Sequence, residues 1–287
     1  MSANKALDPR LHAFRPDLAD ARLEGRVAAQ RHVVGRPARI MAGLCPVSRR
    51  PDRSAPIDTH YHYGEPVLVF AEEDDWAWCQ SAFDRYVGYV EARALANPAA
   101  PTHYIATLGS HLYKEADLRS PSLDFLPRHA AVTIAETGLV TRGTGYARLD
   151  TGGFLPLACL LPQPPRSADL VAAARLYLGC PYLWAGKSFF GLDCSGLVQS
   201  AFRDLGVTVP RDTDLQRDVI GIGISVRDIA DLRRGDLLYL PGHVLIHAGD
   251  GRVIHADGAS MTVREDNLSE WLRSRHLDLE DCFVRRP

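Results

Sequence analysis

No segment of the sequence approaches the roughly 20 consecutive apolar residues that a membrane-spanning helix needs, so no membrane protein of that kind is expected. Met1 to Arg26 alternates charged and small residues and lacks the apolar run of a secretory signal, which predicts a cytoplasmic location. A strong charge of either sign is also missing. With 33 basic and 35 acidic residues the net charge is −2, so no global field favours nucleic acid or an anionic membrane, and neither partner is expected. The local cluster Arg49, Arg50 and Arg53 lies in a Pro/Ser-containing stretch and reads as a solvated linker. The six cysteines form no C-x-x-C pair. In a reducing compartment that argues for free thiols, most of them small buried hydrophobes.

What is present is a sequence able to build real cores. It is 46% hydrophobic, 24% charged and 8% aromatic, and its 287 residues exceed one compact domain, so a multidomain chain of two or three is expected. Residues 1–30 read as a charged, partly helical arm. From there to about 163, short apolar runs separated by turn residues dominate. Glu65 to Ala71, Trp76 to Gln80 and Tyr86 to Val90 read as β-strands by residue type and rough alternation. A weak internal repeat supports two small β-barrels, at 31–98 and 99–163. Val67 and Val69 recur as Val132 and Ile134, and Gly88, Tyr89, Val90 and Leu95 as Gly153, Phe154, Leu155 and Leu160, at one common offset. The proline-rich stretch Leu161 to Pro165 ends this half.

Beyond 165 the pattern becomes α+β. Ser167 to Leu178 reads as a helix with Ser167 as N-cap, and Cys194 to Leu205 as a second with Gly206 at its C-terminal end. Strands are predicted at Asp236 to Leu240, His243 to Ala248 and Val253 to Ala256, with a closing helix at Leu268 to Ser274.

The chemistry concentrates in Gly191-Leu192-Asp193-Cys194-Ser195-Gly196. A thiol opening a helix sits among backbone N–H groups and the positive end of the dipole. This predicts a lowered thiol pKa and donors for an oxyanion. The competing reading is a buried structural cysteine behind an Asp N-cap. A thiolate nucleophile also needs a base and a group to orient it. His243 and His255 lie on neighbouring strand candidates joined by Gly249-Asp250-Gly251. A two-residue turn would put the two rings on opposite faces; a three-residue loop, or a bulge, puts them on one face. The odd-numbered loop is the expectation. His243 would then take the thiol proton while His255 holds its far nitrogen. His247, in phase with His243, is the competing base. A Cys/His/His zinc site would lack close ligand pairs.

Tyr182-Leu183-Trp184-Ala185-Gly186, Gly191 to Gly196, Arg234-Gly235-Asp236-Leu237, His243-Val244-Leu245-Ile246 and Val253-Ile254-His255-Ala256 occur in this order. Together they resemble the NlpC-type, papain-like cysteine peptidases of peptidoglycan peptides, over residues 165–287. The upstream half resembles the paired bacterial SH3-like domains of γ-D-glutamyl-L-diamino-acid endopeptidases of the dipeptidyl-peptidase VI type. The resemblance implies Cys194 as nucleophile, His243 as base, His255 as third member and Tyr182 as an oxyanion donor. It implies recognition of a free N-terminal L-Ala amine by Asp193, Ser195 and Tyr86. The substrate would be the γ-D-Glu–diamino-acid bond (meso-diaminopimelate or Lys) of short murein peptides, cleaved by a monomer without metal or organic cofactor, in wall-peptide recycling. A non-catalytic wall-peptide binding protein and a thioester-forming acyltransferase are the rival functions. Three positions depart from the pattern: Leu245 and Ala185 stand where glycine is common, and Cys180 where threonine is. Leu245 is expected to narrow the cleft on the leaving-group side.

Overall fold

The computed structural model describes residues 7–287, and the chain divides into two units between Gln163 and Pro164. In the N-terminal unit, seven short strands from Arg36–Ile40 to Leu95–Ala96 form one antiparallel sheet. Its alternating residues enclose a core of Ile40, Val47, Tyr61, Val67, Cys79 and Val90. Residues 103 to 161 add a five-stranded and a three-stranded sheet around a core that includes Ile105, Leu126, Leu149 and Leu155. The sequence repeat has a structural counterpart. Val87–Glu91 runs into the 3₁₀ turn Ala92–Ala94 and the strand Leu95–Ala96; Phe154–Pro156 runs into Leu157–Cys159 and Leu160–Leu161 in the same way.

Two expectations for this half are corrected. The segment before residue 30 is no free arm from residue 7 onward: Ala13 and Leu18 are each 1% exposed and pack on Phe70 and Trp78. Burying these side chains ties the segment down despite its charge. The arginine cluster lies in the connection between the paired strands Leu44–Ser48 and Ile57–His62, where Arg49 pairs with Asp58 across the hairpin and Arg53 with Glu91. It is therefore the turn of a hairpin and not a linker.

The C-terminal unit opens with α1 (Leu170–Arg175) and α2 (Cys194–Asp204), followed by α3 (Thr213–Val219). A six-stranded antiparallel sheet follows, with the strands His243–Gly249 and Arg252–Asp257 beside each other near one side. Helix α4 (Leu268–Ser274) covers the face formed by Leu238, Leu245, Val253 and Val284, while α1 and α2 pack against the His243 and Arg252 strands. Helix α1 is shorter than predicted. Asp169 is its N-cap, accepting from Ala172 N–H at 2.7 Å, because Ser167 instead donates to Asp204 of α2 at 2.5 Å. In α2 the apolar stripe Leu197, Val198, Ala201 and Phe202 is buried, and Gly206 takes φ +76° beyond the C-cap as expected.

The hairpin joining the two histidine strands solves the parity problem by the bulge rather than by the loop. Its turn has two residues, Asp250 and Gly251, both at positive φ. Gly249 opposes Arg252, but His247 opposes Val253, so Ala248 is an extra residue that restores one shared face for His243 and His255.

Ala185 holds φ +66°, a left-handed conformation that costs an L-residue about 1 kcal/mol or more. Replacing Ala185 by glycine is therefore expected to raise stability by about 1 kcal/mol, read as a higher midpoint of urea unfolding. A lower midpoint would mean that packing of the buried Ala185 methyl outweighs the backbone strain.

Candidate active site

Asp193 is the N-cap of α2, accepting from Gly196 N–H at 2.7 Å. Gly196 is required there by close approach: a Cβ at this position would lie 2.0 Å from the carbonyl oxygen of Gly186. The second carboxylate oxygen of Asp193 accepts from Ala185 N–H at 2.9 Å. Arg211, 1% exposed, bridges both oxygens at 3.0 and 2.6 Å. Its Nη1 also donates to Ser195 Oγ at 2.8 Å, and Ser195 donates to Asp193 at 3.2 Å. Gln216 of α3, wholly buried, ties the Ser195 carbonyl to that of Pro210 at 3.0 and 2.9 Å. The start of α2 is thus fixed by a buried network that joins Asp193, Ser195, Arg211 and Gln216.

This network aims the Cys194 sulfur at the backbone around His243. The thiol donates to the Gly242 carbonyl at 3.8 Å, and the Val244 N–H lies within bonding range of the sulfur. Leu240 opposes His243 across the two-residue turn Pro241-Gly242, where φ +73° at Gly242 calls for glycine. His243 consequently stands at the very start of its strand, between the Gly242 carbonyl and the Val244 N–H that meet the sulfur. Its Nε2 lies 3.0 Å from Nδ1 of His255, the rings meeting edge to face at 84°. His255 is fully buried, and its Nε2 lies 3.0 Å from Oδ2 of Asp266. Trp271 of α4 stacks on His243 with ring centroids 5.5 Å apart at 18°, and Arg275 lies over the indole while pairing with Asp257 at 2.7 Å.

Electrostatically the site differs from the sequence expectation. The Cys194 pKa is not lowered: burial, then the charge of Asp193, pushes the thiol up to about 11, against opposing pulls from Val244 N–H, Thr213 and Arg211. The helix-terminal amides are outweighed because desolvation of a nearly enclosed sulfur disfavours its anion. Burial, then the neighbouring His255, lowers His243 to about 4, and burial lowers His255 as well. The resting site accordingly holds a neutral thiol and two neutral imidazoles. Tyr182 is half-buried; burial, then the charges of Cys194 and Asp193, raises its pKa to about 12, so its hydroxyl stays a donor near the sulfur.

The other singled-out residues have the following surroundings within their own units. His247 is buried at 2% exposure with Nδ1 3.0 Å from the Arg233 carbonyl, a structural position. Tyr86 belongs to the N-terminal unit, 4% exposed within the core that holds Tyr61 and Val67, its carbonyl accepting from Tyr61 at 2.7 Å. Leu245 is fully buried against α4, so its bulk supports the wall behind the histidines and does not reach the cleft. Arg211, Asp266 and Trp271 were not anticipated. Only Trp271 carried a signal, as the aromatic residue of the predicted closing helix.

A thiol held at a helix start against a strand pair that presents two hydrogen-bonded imidazoles is the apparatus of a papain-like thiol hydrolase. The comparisons agree: residues 179–279 match the NlpC/P60 family, and residues 47–95 match the bacterial dipeptidyl-peptidase SH3 domain. The chain therefore carries an NlpC/P60 domain with a bacterial SH3 domain, and it is a cysteine peptidase. It is 28% identical to dipeptidyl-peptidase 6 of Lysinibacillus sphaericus, over 80% of this chain and 91% of that one. It is likewise 28% identical to the γ-D-glutamyl-L-lysine dipeptidyl-peptidase of Bacillus subtilis (strain 168), over 80% and 81%. The crystal structure of an NlpC/P60 family protein from Bacillus cereus ATCC 10987 superposes with a TM-score of 0.70 at 20% identity, covering 88% of this chain and 99% of that one, which shows the shared fold.

A neutral resting thiol predicts how Cys194 reacts with iodoacetamide. Its alkylation, followed by mass mapping against Cys194→Ala, is expected to accelerate with pH toward about 11 with no plateau near neutrality. A rate already level by about pH 7 would instead reveal a preformed thiolate–imidazolium pair.

Proposed function

We propose that the protein hydrolyses the γ-D-glutamyl–diamino-acid bond of short murein peptides that carry a free N-terminal L-Ala, releasing L-Ala-γ-D-Glu. The observation that carries this reading is the Cys194 sulfur resting on the Gly242 carbonyl, one residue before His243, whose imidazole is bonded to His255 at 3.0 Å. The names of the relatives aligned over 80% of the chain supply the bond. As Cys194 Sγ attacks the γ-carbonyl, its proton passes to His243. Because the thiol and imidazole begin neutral, charge develops only in the transition state, where His255 holds the His243 ring in place through its 3.0 Å bond. The oxyanion is received by the Cys194 N–H, which as the first helical donor has no intrahelical partner, and by the Tyr182 hydroxyl. His243 then gives its proton to the leaving amine of the diamino acid, and the thioester forms as the C–N bond breaks. Water attacks the thioester, its proton going to His243, and the thiol is restored.

Asp193 and Ser195 would recognise the substrate ammonium. Arg211 already compensates the Asp193 charge, so the carboxylate would be shared between guanidinium and ammonium. A requirement for a free amine confines the substrates to peptides already detached from glycan, which suits recycling of wall fragments and a cytoplasmic location. We further infer that residues 99–163 are a diverged second copy of the SH3-like module, on the repeated strand–3₁₀–strand segment.

The test is incubation with L-Ala-γ-D-Glu-diaminopimelate and its N-acetylated form, wild type beside Cys194→Ala. Cleavage of the free peptide, abolished in the variant and reduced at least about 100-fold by acetylation, is the expected result, since an unpaired buried recognition group costs several kcal/mol. Equal cleavage of both peptides would remove the amine-recognition role; no cleavage of either would remove the substrate assignment.

A further inference from the structure

Two hydrogen bonds of 3.0 Å join three side chains in a row: Asp266 Oδ2 to His255 Nε2, and His255 Nδ1 to His243 Nε2. The row has a direction. A carboxylate can only accept, so His255 Nε2 must carry a hydrogen; the reverse tautomer would set a bare nitrogen lone pair against an oxygen lone pair. A neutral His255 then has a bare Nδ1, which can only accept. His243 Nε2 must therefore be the donor, which leaves Nδ1 of His243 without its hydrogen. We propose that Asp266 is a positioning residue of the catalytic centre, fixing the tautomers of both imidazoles and so making Nδ1 of His243 the base that meets the Cys194 proton. The inference rests on the reading of Cys194 and His243 as nucleophile and base.

The placement of Asp266 follows from the sheet. Arg264 directly opposes His255 on the neighbouring strand Thr262–Asn267, and Asp266 lies two residues further on the same face. Arg264 Nε holds Oδ1 of Asp266 at 2.9 Å, turning Oδ2 toward His255. The other nearby acid cannot substitute. Asp257 has one oxygen on Arg275 at 2.7 Å and the other on the Ser260 N–H at 2.9 Å. Burial keeps both rings neutral near pH 7, so the tautomers are a real choice that a partner can impose.

The experiment is ¹⁵N–¹H correlation spectroscopy of the histidine rings in the free, full-length enzyme, wild type beside Asp266→Leu, together with kcat and KM on the murein peptide. Wild type is expected to hold His243 and His255 as Nε2–H tautomers. In Asp266→Leu both rings should become tautomer mixtures, with kcat falling on the order of 100-fold and KM changing by less than about threefold. A wild-type spectrum with hydrogen on Nδ1 of His243 overturns the proposal even if the variant does not fold. So does a folded variant with unchanged tautomers or unchanged kcat. The spectra need no substrate, so failure to cleave the peptide would count against the substrate assignment and leave the tautomer result standing.

Discussion

The buried ion pair between Asp193 and Arg211 fixes the point from which the chemistry is built. Both side chains are almost wholly enclosed, at 8% and 1% exposure. An unpaired charge at such depth costs several kcal/mol, so each must be saturated with hydrogen bonds. Asp193 meets this through Ala185 N–H, Gly196 N–H, Ser195 and the guanidinium; Arg211 meets it through Asp193, Ser195 and the Gly186 carbonyl. The pair thereby ties three separate stretches of chain, at 185–186, 193–196 and 211, into one rigid corner. Cys194 sits inside that corner. The backbone that carries its sulfur cannot shift from the His243 strand without breaking bonds to a buried charge.

The same pair shapes the electrostatics. Burial raises the thiol pKa most, Asp193 adds to it, and Arg211 opposes both more weakly than Asp193 acts. A neutral thiol next to a neutral imidazole costs less to bury than an ion pair would. The arrangement defers charge separation until a substrate carbonyl is present to receive the electrons, where preorganised donors act in a dry site.

Much of this was legible from residue order alone because the information is local. The Asp cap, the apolar stripe of α2, Gly206 and the strand-turn chemistry around Asp250-Gly251 each act within a few residues. His243 and His255 could be paired by counting parity, although the count came out through a bulge at Ala248 and not through the loop length. What could not be read is long-range. Arg211 reaches Asp193 across 18 residues, and its sequence neighbourhood Pro210-Arg211-Asp212 looks like an ordinary turn. Asp266 meets His255 only through the register of a strand pair, and a one-residue slip would have turned it away. The raised thiol pKa has a related cause: the helix terminus is visible in sequence, whereas the enclosure that outweighs it is a property of the assembled fold. Ser167 lost its predicted capping role to a tertiary bond with Asp204, the same competition between local and distant partners.

Trp271 completes the logic of the imidazole. In the proposed cycle His243 must deliver a proton first from sulfur and later to an amine, so its ring needs a fixed plane and a fixed pivot. The bond from Nε2 to His255 supplies the pivot, and the near-parallel indole at 18° supplies the plane. Trp271 is itself held between the aliphatic wall containing Leu245 and the Arg275 guanidinium, 4.6 Å over its ring. Leu245 therefore acts through packing: it shares a buried cluster with the indole that stacks on His243. An aromatic wall also excludes water from one face of His243, which holds its pKa down and leaves the cleft side as the route for proton exchange. Positioning of the base is thus distributed over a helix, a strand and a cation, with Asp266 setting the hydrogen and Trp271 setting the ring.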